Sequence, residues 1–147
     1  MKNTTLFPLA FAVLLFSAGF SNAQNYDVVC NGGKEFSFSK DTVAQLTLFT
    51  GRYMEGKTYI HWNVACQQAD GLYIIYSSRD GKDYGVVGYK RGIGVPISIP
   101  IAYYFHDEHP LEGTTYYKVI HFSMNKTYLI SEKIAVTFEG VILSNAQ

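Results

Sequence analysis

From Val43 onward the chain is a succession of short runs rich in Val, Ile, Thr, Tyr and Phe, interrupted at near-regular intervals by Gly, Asn and Asp. Runs of strand length separated by tight-turn residues are built for antiparallel pairing, and so many in one chain point to a sandwich or a barrel. Strands are expected over residues 46–53, 58–64, 72–77, 84–90, 99–106, 115–123 and 128–138. Gly56-Lys57, Arg79-Asp80-Gly81-Lys82 and Met124-Asn125-Lys126 supply turns, since Gly and Asn tolerate the positive φ that hairpins need. No stretch after residue 23 carries a convincing apolar period of 3.6, so the expected class is all-β.

One of these runs breaks the usual pattern. In Leu72-Tyr73-Ile74-Ile75-Tyr76 every side chain is large and apolar or aromatic. Side chains alternate across a strand, so whichever set turns inward, the other set leaves the outer face apolar. Charged residues make up only 16% of the chain and aromatics another 16%, which gives more apolar surface than one small core hides. The 12 basic and 12 acidic residues cancel, so no net field favours nucleic acid or an anionic membrane.

Residues 1–23 read as a signal peptide: Lys2, an apolar run from Leu6 to Phe20, then Ser21-Asn22-Ala23 with small residues at the cleavage positions. Cleavage is expected before Gln24, giving a secreted, periplasmic or cell-surface protein with no transmembrane segment in the mature chain. The expected organisation is then an N-terminal arm over 24–42, a β-sandwich over 43–140 and a tail over 141–147. In the arm, Phe36 and Phe38 alternate with Ser37 and Ser39, which fits an added edge strand, an ordered arm or a linker. In the tail, Val141-Ile142-Leu143 is apolar. Cys30 and Cys66 both fall in the exported part, where an oxidising compartment lets them pair. Such a disulfide would contribute about 4 kcal/mol in the chain-entropy model. Two separate thiols are the alternative, and neither cysteine sits in a redox or nucleophile motif.

The segments TYIHWNVACQQADGLYIIYSSRDGKDYGVVG and YYFHDEHPLEGTTYYKVIHFSMNKTYLISEKIAV carry a resemblance. With Phe49-Thr50, Trp62, Asp80-Gly81-Lys82, Asp107-Glu108, Pro110-Leu111 and Tyr116-Tyr117 in this order, the chain resembles the fibronectin type III-like module of bacterial secreted and surface proteins. In particular it is similar to the copy found in type IX secretion cargo, here expected to stand alone. The resemblance runs from about Leu46 to Val136 and implies a seven-stranded Greek-key β-sandwich of the fibronectin/immunoglobulin kind, with a different Greek-key sandwich or a small barrel as the alternative. It also implies a module that spaces, presents or binds and does not catalyse. Tyr117 stands where such folds place a corner tyrosine whose hydroxyl pins the backbone.

In resembling modules the outward positions of three neighbouring strands are polar. Here they are filled by Ile74, Tyr76, Tyr116, Ile120 and Leu129, which are expected to adjoin on one outer face. Burial of each is worth roughly 1.5–3 kcal/mol, so together they rival the whole stability of a small domain, roughly 5–15 kcal/mol. A patch of this kind is covered either by the arm or the tail, or by a partner. The sequence therefore favours a non-catalytic binding module that engages a protein partner or a second copy of itself through this face.

Other chemistry is thinly supported. His106-Asp107-Glu108-His109 offers two imidazoles and two carboxylates, the alternative being a small metal-dependent hydrolase. Adjacent residues on an extended chain point to opposite sides, however, so the four diverge, and no metal or other cofactor is expected. His61 is expected outward and His121 inward. No G-x-S-x-G elbow is present for a nucleophile, and Asp80-Gly81-Lys82-Asp83 lacks calcium-loop spacing. Tyr59 and Tyr104, expected outward on the opposite sheet, support a carbohydrate-binding alternative by stacking on sugar rings.

Overall fold

The computed structural model describes residues 26–30, 34–67 and 70–138. Among them every regular element is a strand: β1 (Tyr26–Cys30), β2 (Lys34–Lys40), β3 (Gln45–Met54), β4 (Lys57–Ala65), β5 (Gly71–Ser78), β6 (Gly85–Arg91), β7 (Ile101–Asp107), β8 (Gly113–Ser123), β9 (Thr127–Ile130) and β10 (Ile134–Phe138). No helix among the described residues is long and apolar enough to cross a membrane. The strands form two sheets. One has the order β3-β4-β7; the other runs β1-β2-β9-β8-β5-β6, with β10 also paired to β8.

Local chemistry explains the hairpins. Between β3 and β4 the two-residue turn is Glu55-Gly56, both at positive φ (53° and 83°), the geometry whose twist suits a tight hairpin. The turn lies one residue earlier than Gly56-Lys57. Between β8 and β9 the positive φ falls on Lys126 (59°) at the end of a three-residue connection, with its N–H donating to Ser123 O (3.0 Å). The last strand, expected as one run over 128–138, is divided. At the break the Ser131 hydroxyl accepts the Val119 N–H (2.9 Å) and the Ser131 N–H donates to the Val119 carbonyl (2.9 Å). A side chain thus closes the ladder position that the backbone leaves.

The described part of the arm is an added pair of strands. β1 and β2 form a hairpin, and β2 lies parallel to β9 through Ser39 and Lys40. Asp41 turns the chain from there towards β3. Its Oδ1 accepts the N–H groups of Val43 and Ala44 (both 2.9 Å), and its Oδ2 accepts the Thr127 hydroxyl (3.1 Å).

The two sheets share one core. Ile60, Trp62 and Val64 of β4 and Tyr103 of β7 meet Tyr73 and Ile75 of β5, Tyr117 and Val119 of β8, Leu129 and Val136. Trp62 stacks on Tyr103, and Tyr73 packs against both. Buried polar groups are drawn together by Gln67. Its Oε1 accepts from Tyr73 (2.8 Å) and Tyr103 (2.7 Å), while its amide donates to the Ile93 carbonyl (2.6 Å). The corner tyrosine differs from the expectation: the Tyr117 hydroxyl donates to the Asp107 carboxylate (2.9 Å) instead of to the backbone.

Candidate functional site

Strand register decides which of the five outward candidates adjoin. Ile74 lies opposite Ile120, Tyr76 opposite Lys118, and Ser78 opposite Tyr116, so Ile74, Tyr76, Tyr116 and Ile120 do share the outer face of the larger sheet. Leu129 does not. It pairs with His121, an inward residue, and belongs to the core at 9% exposure. The three-residue connection between β8 and β9 sets Ile130, not Leu129, opposite Ile120, which moves Leu129 to the other side.

Burial then divides the shared face. Ile120 is fully buried and Tyr76 only 2% exposed, while Ile74 and Tyr116 are half-buried. The chain itself supplies part of the cover. Phe38 of β2 packs edge-on against Phe122 (centroids 5.0 Å apart), so the N-terminal hairpin reaches this face. The Lys118 ammonium sits 3.9 Å over the Tyr84 ring and 5.7 Å from that of Tyr76, and burial lowers its pKa. The Tyr76 hydroxyl is buried without a hydrogen-bond partner among the described residues, and desolvation pushes its pKa up to about 12. The middle of the expected contact patch is therefore interior.

The open part lies at the β6 side. Tyr89 is paired with Ile74 and Val86 with Tyr76, which puts both on the same outer face, at 60% and 51% exposure. Leu72 adds a third large apolar side chain at 37%. Beyond them β6 ends the sheet order. Sequence reasoning gave Val86 and Tyr89 no role. The signal in the run, apolar residues on both sides of a short strand, acquires meaning only once β6 is known to be terminal.

The three-stranded sheet has a different outer face. His61 of β4 pairs with Tyr104 of β7, and their rings are nearly parallel, 4.5 Å apart at 6°. Tyr59 pairs with His106, with centroids 6.1 Å apart. The Nε2 of His61 lies 2.9 Å from the accepting Oδ1 of Asn63. Glu108 bridges Lys57 and His106, and Lys57 holds its carboxyl below the ordinary carboxylate range.

The His106–His109 segment splits as its extended geometry requires. Asp107 turns inward to Tyr117, with its Oδ1 accepting the His109 N–H (3.0 Å), whereas His106 and Glu108 face outward. Among the described residues no three His, Cys, Asp or Glu side chains are grouped to hold a metal ion. His121 points inward, stacked on Tyr73 (4.1 Å), with its Nε2 buried and without a hydrogen-bond partner among the described residues. Burial pushes its pKa down to about 4, against a partial pull upward from Asp41 and Asp70. Asp80 organises its turn: its Oδ1 accepts the Ser78 hydroxyl and the N–H groups of Lys82 and Asp83, and these bonds pull the pKa down to about 2. That turn borders a shallow depression of about 450 Å³ between Ser77, Arg79, Gly85 and Leu111.

Cys66 follows β4 at positive φ (57°) and Cys30 closes β1, but the Cys30 side chain lies outside the described residues, as do the signal segment 1–23 and Val141-Ile142-Leu143. Comparison with protein-family models, curated proteins and solved structures gives no match to this chain.

Proposed function

We propose that this chain is a secreted, non-catalytic protein-binding module of the fibronectin type III-like kind. Its contact surface, on this reading, is the open flank of the larger sheet: Leu72, Ile74, Val86 and Tyr89. The observation that carries the proposal is the clustering of these side chains, by register, beside a strand whose far edge has no partner among the described strands. An unpaired edge with adjoining apolar side chains offers a partner both backbone hydrogen bonds and buried area.

Strand order supports the family reading. With β9 and β10 counted as two halves of one strand, β3 to β10 make seven. The first, second and fifth form one sheet, and the fourth, third, sixth and seventh lie in order in the other. On this reading the division resembles that into A, B, E and C, F, G strands of an immunoglobulin-like Greek key, with the fourth strand on the C, F, G sheet and β1 and β2 added beyond the last strand. Export is supported by residues 1–23. A Cys30–Cys66 disulfide belongs to the same proposal, and intact mass with and without reductant reads it directly.

The double substitution Val86→Lys, Tyr89→Lys should abolish self-association in sedimentation velocity, or capture of a partner from the producing culture, with an unchanged melting temperature. Ile120→Lys should instead unfold the protein, because Ile120 is fully buried. A double variant that associates and captures as well as the parent overturns the proposed surface.

A further inference from the structure

The outer face of the three-stranded sheet has features that the protein-binding flank does not use. β7 ends this sheet among the described strands, so Tyr104, with one ring face against His61, has no paired strand on its other side and is 63% exposed. Tyr59 and His106 form a second ring pair one step along the same two strands. Across the sheet, Arg52 of β3 is placed beside Tyr59 by register.

The charged groups on this face are unequally paired. Glu108 is engaged by Lys57 and His106. Arg52 is exposed and has no ion-pair partner among the described residues. Glu55, in the adjoining turn, forms no ion pair with it either. The result is a row of upright, partly exposed rings running towards a guanidinium with no ion pair among the described residues, two strands away, a span of roughly 10 Å.

We propose that this face binds an anionic glycan, a chain of uronic-acid residues. A sugar ring stacks through its C–H face on the open ring face of Tyr104, the chain runs on across the exposed edge of Tyr59, and a sugar carboxylate pairs with Arg52. Aromatic stacking selects a flat, carbon-rich ring, and the guanidinium selects a planar carboxylate it can grip with two parallel N–H bonds. Neutral sugars satisfy the first requirement only, and sugar-free polyanions only the second. Asn63 and the imidazoles supply hydrogen-bonding groups for hydroxyls along the row.

Isothermal titration calorimetry of the full-length protein with oligogalacturonate tests this. Binding is expected, and Tyr104→Ala and Arg52→Gln should each weaken it roughly fivefold to tenfold with unchanged thermal melts, both residues being exposed. The methyl-esterified oligomer, which keeps the sugar rings but loses the charge, should bind as weakly as Arg52→Gln binds the acid form. Absence of heat with oligogalacturonate, equal affinity for the esterified form, or equal affinity for polyglutamate would each overturn the proposal. Val86→Lys, Tyr89→Lys should bind the oligomer as the parent does, which separates this surface from the protein-binding flank.

Discussion

His121 shows what a single buried group imposes on the molecule. Its imidazole is held down to about 4 in the folded chain and returns to about 6.5 when unfolded. Between those values the unfolded chain binds a proton that the folded one does not. Stability is therefore full above about pH 6.5 and falls as pH drops towards 4, by up to about 3 kcal/mol. Asp80, with its carboxyl at about 2, loses its contribution only below the ordinary carboxylate range, so the two effects occupy separate windows. Urea midpoints at pH 7.5 and 4.5 should differ clearly for the parent and much less for His121→Leu; equal losses in both would refute the assignment. Gln67 is the second residue of this kind. Gln67→Leu leaves the Tyr73 and Tyr103 hydroxyls and the Ile93 carbonyl without their buried partner. A loss of about 2–4 kcal/mol in chemical denaturation is expected.

At the scale of elements, the edges of the sheets determine what remains accessible. β6 stays close to β7 because Gly88 has no side chain: a Cβ there would lie 2.5 Å from the Phe105 ring. Gly88→Ala should cost about 1–3 kcal/mol, and the same change in a Phe105→Leu background should cost less. A double-mutant cycle by thermal denaturation measures the difference, and strict additivity would remove the contact from the account. β2 acts at the opposite edge, where Phe38 meets Phe122. Most strands were legible because apolar alternation and turn residues are local signals. The division at Ser131 was not, since it depends on a hydroxyl reaching the Val119 amide on a neighbouring strand. The shift of Leu129 to the core has the same origin: the connection at 124–126 sets the pairing, and pairing sets the face.

For the molecule as a whole, the outer sheet face resolves into a covered centre and an open flank. The covered part includes Tyr76 and Ile120, and the N-terminal hairpin meets the same face at Phe122. A chain lacking residues 24–40 should therefore keep its β-sheet circular dichroism but bind more of a hydrophobic dye and associate non-specifically. If dye binding is unchanged, the hairpin is not a cover.

Sequence alone determined the all-β class, most strand positions, the inward face of the strand bearing Ile60, Trp62 and Val64, and the outward direction of His61. Each follows from a two-residue period and from turn chemistry, which act over a few residues. The resemblance it carries pointed to an apolar outer face through Ile74, Tyr76, Tyr116, Ile120 and Leu129, of which Leu129 lies in the core. Which of these side chains reach water was decided only by the tertiary structure, through the terminal position of β6 and the register across the connection at 124–126. Exposure depends on what lies beside and above a residue, and those neighbours come from distant parts of the chain.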